Sequence, residues 1–254
     1  MEDNEAQRVG ACHLIDTVPW HFERLQNVTY WRQDSSYSVF ETLFLQVVKP
    51  CTTNALVSLS AVGTPNICKL IDILIQLPPL ENVELCHIDY EDEDDNRKRS
   101  LALVQLFKSY VARTNLFKQK LRSVLLQECN FISTNVLDAL GEIKTLEEVD
   151  FYGACTIPSS EHLRHFLQKV DNHLLELMLK DISHVDDNLL RMLSQMKKLQ
   201  LIKLQGIKKI TEVGIKYLVD NAKRLRSLTL VDCIALSYPT RSHINKRIKN
   251  VKIY

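Results

Sequence analysis

Aliphatic residues recur along this chain at fixed small spacings: a leucine, then an aliphatic three places on, another two places on, and a cysteine or isoleucine three places after that. The pattern is clearest in KLRSVLLQECNFIS, Lys120 to Ser133, and in RLRSLTLVDCIALS, Arg224 to Ser237, which lies 104 positions later (224 − 120 = 104). That offset divides into four periods of 26, and the intervening copies are present. One comprises Leu174, Leu177, Leu179, Ile182 and Val185, another Leu199, Ile202, Leu204, Ile207 and Ile210, and a degraded one Leu146, Val149, Phe151 and Ala154. Upstream the pattern continues through Leu80, Val83, Leu85 and Ile88, then Val57, Leu59 and Val62, then Leu25, Val28 and Tyr30. The closing VKIY, with Val251 and Ile253, reads as a last short strand.

Each copy is followed by apolar residues at helical spacing, often opened by a capping residue. Thr211-Glu212 precedes Ile215, Tyr217 and Leu218; Asp186-Asp187 precedes Leu189, Leu190 and Leu193; Ser159-Ser160 precedes Leu163, Phe166 and Leu167. A strand of this length with one amphipathic helix cannot bury its apolar side alone, so the units must stack. Stacking sets the strands side by side in a parallel sheet with the helices on the opposite side, and because helices are wider than strands the stack curves with the sheet inside. The predicted fold is an α/β solenoid, a leucine-rich-repeat horseshoe with parallel strands on the concave side and helices on the convex side.

Using the second aliphatic of each strand as a marker, the step from one unit to the next is 23 to 29 residues, except for 41 between Leu85 and Leu126. The long step contains EDEDDNRKR, Glu91 to Arg99, which predicts a solvated, mobile acidic insertion loop at 90–99. It also contains Leu103, Leu106, Phe107 and Tyr110 at i, i+3, i+4 and i+7, a helix that completes the unit. The domain reading is an N-terminal segment at 1–24 and one repeat domain of about eight units at 25–254.

The repeat text resembles the cysteine-containing leucine-rich repeats of the F-box/LRR proteins and the mitotic-exit-network antagonists. The resemblance rests on the 26-residue unit, on Cys129 and Cys233 three places after the second aliphatic, and on Ile210-Thr211-Glu212-Val213-Gly214-Ile215. It spans Leu121 to Tyr254 and extends more weakly over Leu25 to Leu106. Ile88, Ile182 and Ile207 stand where other units have the cysteine, and Cys155 comes one place late, which suits a core-packing role for that position. What the resemblance implies is a non-enzymatic scaffold or substrate-receptor in ubiquitin ligation or cell-cycle control. The stretch before the first repeat is shorter than the F-box that members of that family carry. His184 to Gln200, HVDDNLLRMLSQMKKLQ, is also similar to text in ATP synthase factor B and membrane-arm assembly proteins, implying a mitochondrial assembly factor as the alternative.

Composition narrows the partner more than the fold. A 254-residue chain with 45% hydrophobic and 25% charged residues can bury a sizeable core. Its net charge of +1 hides an asymmetry, because Gln200 to Tyr254 carries twelve Lys/Arg against three Asp/Glu. Seven cysteines without a CxxC pair suggest neither a disulfide framework nor a zinc site and point to a reducing compartment, cytoplasm or nucleus. No apolar run reaches the roughly 20 residues needed to cross a bilayer, and the acidic start MEDNEAQ has neither secretory nor mitochondrial leader character. The basic C-terminal residues Arg241, Lys246, Arg247, Lys249 and Lys252 could grip phosphates, a lesser alternative in which the segment binds nucleic acid.

Signatures of catalysis are missing: there is no GxGxxG, GxxxxGK[ST], GxSxG or HExxH. His162 and His165 beside Glu161 lie one helical turn apart on a face expected in water. Cys86 and His87 are adjacent on a strand and so expected to point oppositely. No catalytic residue, metal or cofactor is predicted. The candidate site is the concave face, where strand positions between the core aliphatics form rows. One row reads Thr29, Ser58, Glu84, Leu125, Asp150, Met178, Lys203 and Thr229, the next Trp31, Ser60, Cys86, Gln127, Tyr152, Lys180, Gln205 and Val231. Trp31, Leu125, Tyr152 and Met178 have no core to enter from that side, and apolar groups exposed among charges mark a protein-binding surface. The partner-binding residues predicted are Trp31, Glu84, Leu125, Gln127, Asp150, Tyr152, Met178, Lys180, Lys203 and Gln205. The partner is another protein, and the chain is a monomer or one subunit of a hetero-complex.

Overall fold

The computed structural model of the protein describes residues 27–31, 56–63, 67–87, 93–153, 157–233 and 236–254. Strands β1 (Asn27–Trp31), β2 (Ser58–Val62), β3 (Asn82–Cys86), β4 (Ser123–Gln127), β5 (Glu148–Tyr152), β6 (Glu176–Lys180), β7 (Leu201–Gln205), β8 (Ser227–Val231) and β9 (Asn250–Ile253) form one sheet. They lie in chain order, each parallel to the next. Among the described residues the helices are α1 (Ile67–Gln76), α2 (Glu93–Arg113), α3 (Thr134–Gly141), α4 (Ser160–Val170), α5 (Asp187–Leu193), α6 (Glu212–Asn221) and α7 (Tyr238–Arg247). Each packs on the next, so the helices form a single layer against one side of the sheet. The molecule is therefore an α/β repeat of two layers. No described helix is long and apolar enough to cross a membrane.

The spacing that defines the repeat is the spacing of the core. Val124, Leu126, Val149, Phe151, Leu177, Leu179, Ile202 and Leu204 are fully buried where strand alternation turns them toward the helices. They meet Leu163, Phe166, Leu167, Leu189, Leu190, Ile215 and Leu218 from the helix side, and Phe151 meets Phe166 edge-on at 5.8 Å between ring centres. Burying each such side chain contributes about 1.5–3 kcal/mol, and no unit has enough of them alone. The leading leucines Leu80, Leu121, Leu146, Leu174 and Leu199 close the same core at the strand entrances. The capping residues behave as their spacing predicts: Ser159 Oγ accepts from His162 N at 3.3 Å, and Asp186 Oδ1 accepts from Leu189 N at 2.9 Å.

Two expectations are corrected. The upstream copy is shifted by two residues: Leu59 pairs with Val83, and Ala61 with Leu85, so Ala61 and not Leu59 is the second core position. Leu56, Leu59 and Ala61 follow the template and are all buried, and the small alanine disguised it. The acidic insertion loop predicted at 90–99 is helical from Glu93 onward, and α2 runs unbroken from there to Arg113. Arg99 is buried at 3% exposure rather than solvated. The predicted core helix is as expected, with Leu103, Leu106, Phe107 and Tyr110 all buried. The segment 1–24, Leu25, Ile88, Ala154 and Cys155 lie outside the described residues.

The turn leaving each strand repeats a device that the hydrophobic pattern does not reveal. Gly63, His87, Glu128, Gly153, Asp181, Gly206 and Asp232 each follow a strand directly and have φ between 49° and 70°. All but the last donate their N–H to the final carbonyl of the next strand, as His87 to Gln127 at 2.9 Å, Glu128 to Tyr152 at 2.9 Å, Asp181 to Gln205 at 2.8 Å and Gly206 to Val231 at 2.8 Å, while Asp232 donates to Tyr254, just past β9, at 3.4 Å. Left-handed backbone at non-glycine residues is unfavourable in isolation. Here each one extends the ladder by one bond.

Candidate functional site

Because strand residues alternate sides, the positions between the core residues all face away from the helix layer. Along the strands from β2 to β8 these positions are mostly half-buried, and among the described residues no helix packs over them. Register fixes three rows. The first runs Asn27, Ser58, Asn82, Ser123, Glu148, Glu176, Leu201, Ser227 and Asn250, and the second Thr29, Ser60, Glu84, Leu125, Asp150, Met178, Lys203, Thr229 and Lys252. The third runs Trp31, Val62, Cys86, Gln127, Tyr152, Lys180, Gln205 and Val231. Glu84, Leu125, Gln127, Asp150, Tyr152, Met178, Lys180, Lys203 and Gln205 thus share one face as predicted. Ser58 and Ser60 each belong one row earlier, a consequence of the β2 shift. Trp31 begins the third row by its backbone, and its side chain lies outside the described residues.

The face is more sheltered than exposed apolar and charged groups would be. Glu84, Leu125, Gln127, Tyr152, Met178, Lys180, Lys203 and Gln205 are half-buried, Cys86 is buried, and Asp150 is only 8% exposed. Neighbouring strands lie about 4.8 Å apart, so side chains along a row stand against one another. Asp150 sits in the second row between Leu125 and Met178. Beside it the Tyr152 hydroxyl donates to Met178 Sδ, and the Lys180 ammonium lies 5.7 Å from the Tyr152 ring centre. Cys86 Sγ lies 3.6 Å from Glu84 Oε1.

Four carboxylates define the electrostatics of this region. Burial first, then the neighbouring Glu148 and Glu176, push the Asp150 carboxyl up to about 7, with Lys203 partly opposing them and Glu84 adding to the rise. Burial and the neighbouring Glu148 also raise Glu176, which stands directly beside Glu148 in register. Tyr152 is raised by burial first and then by the nearby Asp150. The carboxyl of Asp150 accepts no hydrogen bond from the described residues, so burial and the like charges around it act on it unopposed by a donor, at the expense of stability. Groups so perturbed concentrate at functional sites. Toward β9 the second row turns basic through Lys203 and Lys252. Along this row the charge thus changes from acidic at Glu84 and Asp150 to basic at Lys203 and Lys252.

Other candidates resolve into local structure. Cys86 contacts Glu84, whereas His87 follows the strand with φ 52° and bonds Glu128 at 2.6 Å and Gln127 at 3.1 Å. His162 Nδ1 lies 2.7 Å from Ser159 Oγ, and His165 lies 3.5 Å from Asp138. Among the described residues no three His, Cys, Asp or Glu side chains gather as a metal site. In the basic C-terminal segment, Arg247 pairs with Asp220 at 3.1 Å and Arg241 Nε donates to the Leu236 carbonyl at 3.2 Å.

The cysteine position does more than fill core. Cys129 is fully buried, and its thiol lies 3.5 Å from the Leu85 carbonyl and 3.4 Å from that of Gln127. Cys233 is only half-buried, because it belongs to the last unit but one, and its thiol reaches Leu204 O at 3.4 Å and Val231 O at 3.2 Å. A thiol donor to the backbone of the preceding strand is a role that isoleucine cannot take. The sequence gives no sign of it beyond the recurrence of the cysteine. No protein-family model and no curated protein matches the chain.

Proposed function

We propose that the chain is a leucine-rich-repeat horseshoe whose uncovered sheet face docks a basic segment of another protein, and that it acts without catalysis as an adaptor or substrate receptor. The repeat spacing, the in-order parallel strands and the single helix layer support the horseshoe reading. The observation that carries the docking reading is Asp150, an acid 8% exposed, unmatched by a donor, and set among Glu84, Glu148 and Glu176. A lysine or arginine from a partner would supply the missing donors, and a guanidinium fork can engage carboxylates on adjacent strands at once. Leu125, Met178 and Tyr152 around it would give the apolar contact that an interface centre needs. The resemblance to F-box/LRR and mitotic-exit proteins supports a setting in ubiquitin ligation or cell-cycle control.

The test is affinity capture with three variants, each first checked for folding. Glu148→Lys/Glu176→Lys reverses the acidic centre, Tyr152→Ala/Met178→Ala removes its apolar flank, and Glu161→Lys alters the helix layer only. Proteins that bind this face are lost by the first two variants and kept by the third. Identical recovery with all three overturns the reading.

A further inference from the structure

We propose that the strand-entry edge of the sheet holds a second binding site, for a small multiply charged oxyanion of the oligophosphate class. The loops entering β3 to β7 stack as the strands do, so residues at equal offsets come together. Lys120, Thr145, His173 and Lys198 each immediately precede a buried leading leucine, Leu121, Leu146, Leu174 and Leu199 respectively. With Lys118, Arg122 and Lys144 they line one cavity of about 310 Å³, which Glu81, Glu147 and Leu175 complete. Five cationic side chains thus face two carboxylates.

The compensation is incomplete in a specific way. Glu147 is engaged by Arg122 at 3.3 Å. Lys118, Lys120, Lys144 and Lys198 form no ion pair among the described residues, although Lys169 and Lys197 nearby both do. A second observation comes from His173. Its ring bonds the backbone of Ile143, and its Nε2 is buried without any hydrogen-bond partner. Burial and then the charges of Lys144 and Lys198 hold that imidazole below its usual value, against the weaker pull of Asp171. An oxyanion in the cavity supplies acceptors for the ammoniums and negative charge that offsets the repulsion Lys144 and Lys198 exert on the His173 ring. Divalent cations are repelled by the same field. The concavity suits a compact ligand rather than a duplex backbone, which presents its phosphates over a long convex surface. This site is independent of the docking face, lying on the strand-entry edge of the sheet.

The experiment titrates the full chain with sodium tripolyphosphate by calorimetry, in low and in high salt, and follows the His173 ring proton by NMR. The expected result is saturable binding that weakens as salt rises, with the His173 pKa moving upward on binding. Lys144→Glu/Lys198→Glu, both exposed positions that leave the core untouched, should weaken binding about tenfold or more, as loss of charge-assisted contacts does. Absence of binding in low salt, or binding that the double variant and His173 do not register, overturns the proposal. So does a single-stranded oligonucleotide binding the wild-type chain while tripolyphosphate does not.

Discussion

Asp187 takes both donors of Thr211: its Oδ1 accepts the Thr211 N–H at 2.7 Å and its Oδ2 accepts the Thr211 hydroxyl at 2.6 Å. Thr211 Oγ1 in turn accepts from Val213 N at 3.2 Å and Gly214 N at 3.5 Å, capping α6. The first carboxylate of one helix thus holds the cap of the next. Glu212 does the same one unit on, accepting from Ser237 and from Thr240 Oγ1 at 2.7 Å. Gly214 makes the arrangement fit, since a Cβ there would collide with the Asp187 carboxylate.

Gly214→Ala is therefore expected to destabilise the protein by about 1–2 kcal/mol, although alanine in a helix interior ordinarily gains about 1 kcal/mol over glycine. Urea unfolding of a double-mutant cycle checks it, because in an Asp187→Ala background the same substitution should become neutral or stabilising.

Asp150 gives a pH dependence whose sign is opposite to that of most carboxylates. Its folded pKa, raised to about 7, exceeds the unfolded value, so the native state binds more protons between roughly pH 4 and 7. The stability linked to this proton is present below the unfolded pKa and is lost as pH rises through about 7. Asp150→Asn should leave stability at pH 4 unchanged and raise it at pH 8 by on the order of 2 kcal/mol or more. Denaturant midpoints across that range are the measurement, and a pH-independent difference would sink the assignment.

Glu212 has the ordinary sign. Its bonds to Ser237 and Thr240 hold its carboxyl below the usual range, so the stability it contributes is present above the unfolded pKa and fades as pH falls through the depressed folded value. In Glu212→Gln that acid-side loss should disappear from the same unfolding series.

At Gly206, φ is 66° and a Cβ would strike the Asp181 carboxylate. Gly206→Ala combines left-handed strain with that collision and should cost about 1–3 kcal/mol in thermal or chemical unfolding. Asp181 tolerates the same backbone at φ 55°, so an Asp181→Ala change should cost less than the glycine substitution.

Cys129→Val keeps an apolar group of similar size but removes the donor facing the Leu85 and Gln127 carbonyls. A loss of about 1 kcal/mol is expected from the hydrogen bond alone. Were Cys129→Val neutral, the position would be core packing only.

The repeat was legible because its period and its burial are the same fact: Leu177, Leu179, Ile202 and Leu204 recur in the text at the spacing that the core demands. Where a core residue was small, as at Ala61, the pattern misled by two positions. Where charge was dense, at 93–99, the helix went unseen because helical order there comes from backbone bonds and neighbours rather than from an apolar stripe. The membership of the open face followed from alternation, which needs only register. Its sheltering did not, since the burial of Asp150 depends on side chains that two other strands bring beside it. The lysines at the strand entrances were equally hidden, because Lys120, Lys144 and Lys198 are scattered in the text and meet only through stacking.

Strands paired strictly in chain order leave no unit whose neighbours are distant along the polypeptide. A chain held at its two ends and stretched would accordingly come apart serially, shedding one turn after another from an extremity while the interior stayed intact. Its resistance to force is that of a stack of coins rather than of a knot.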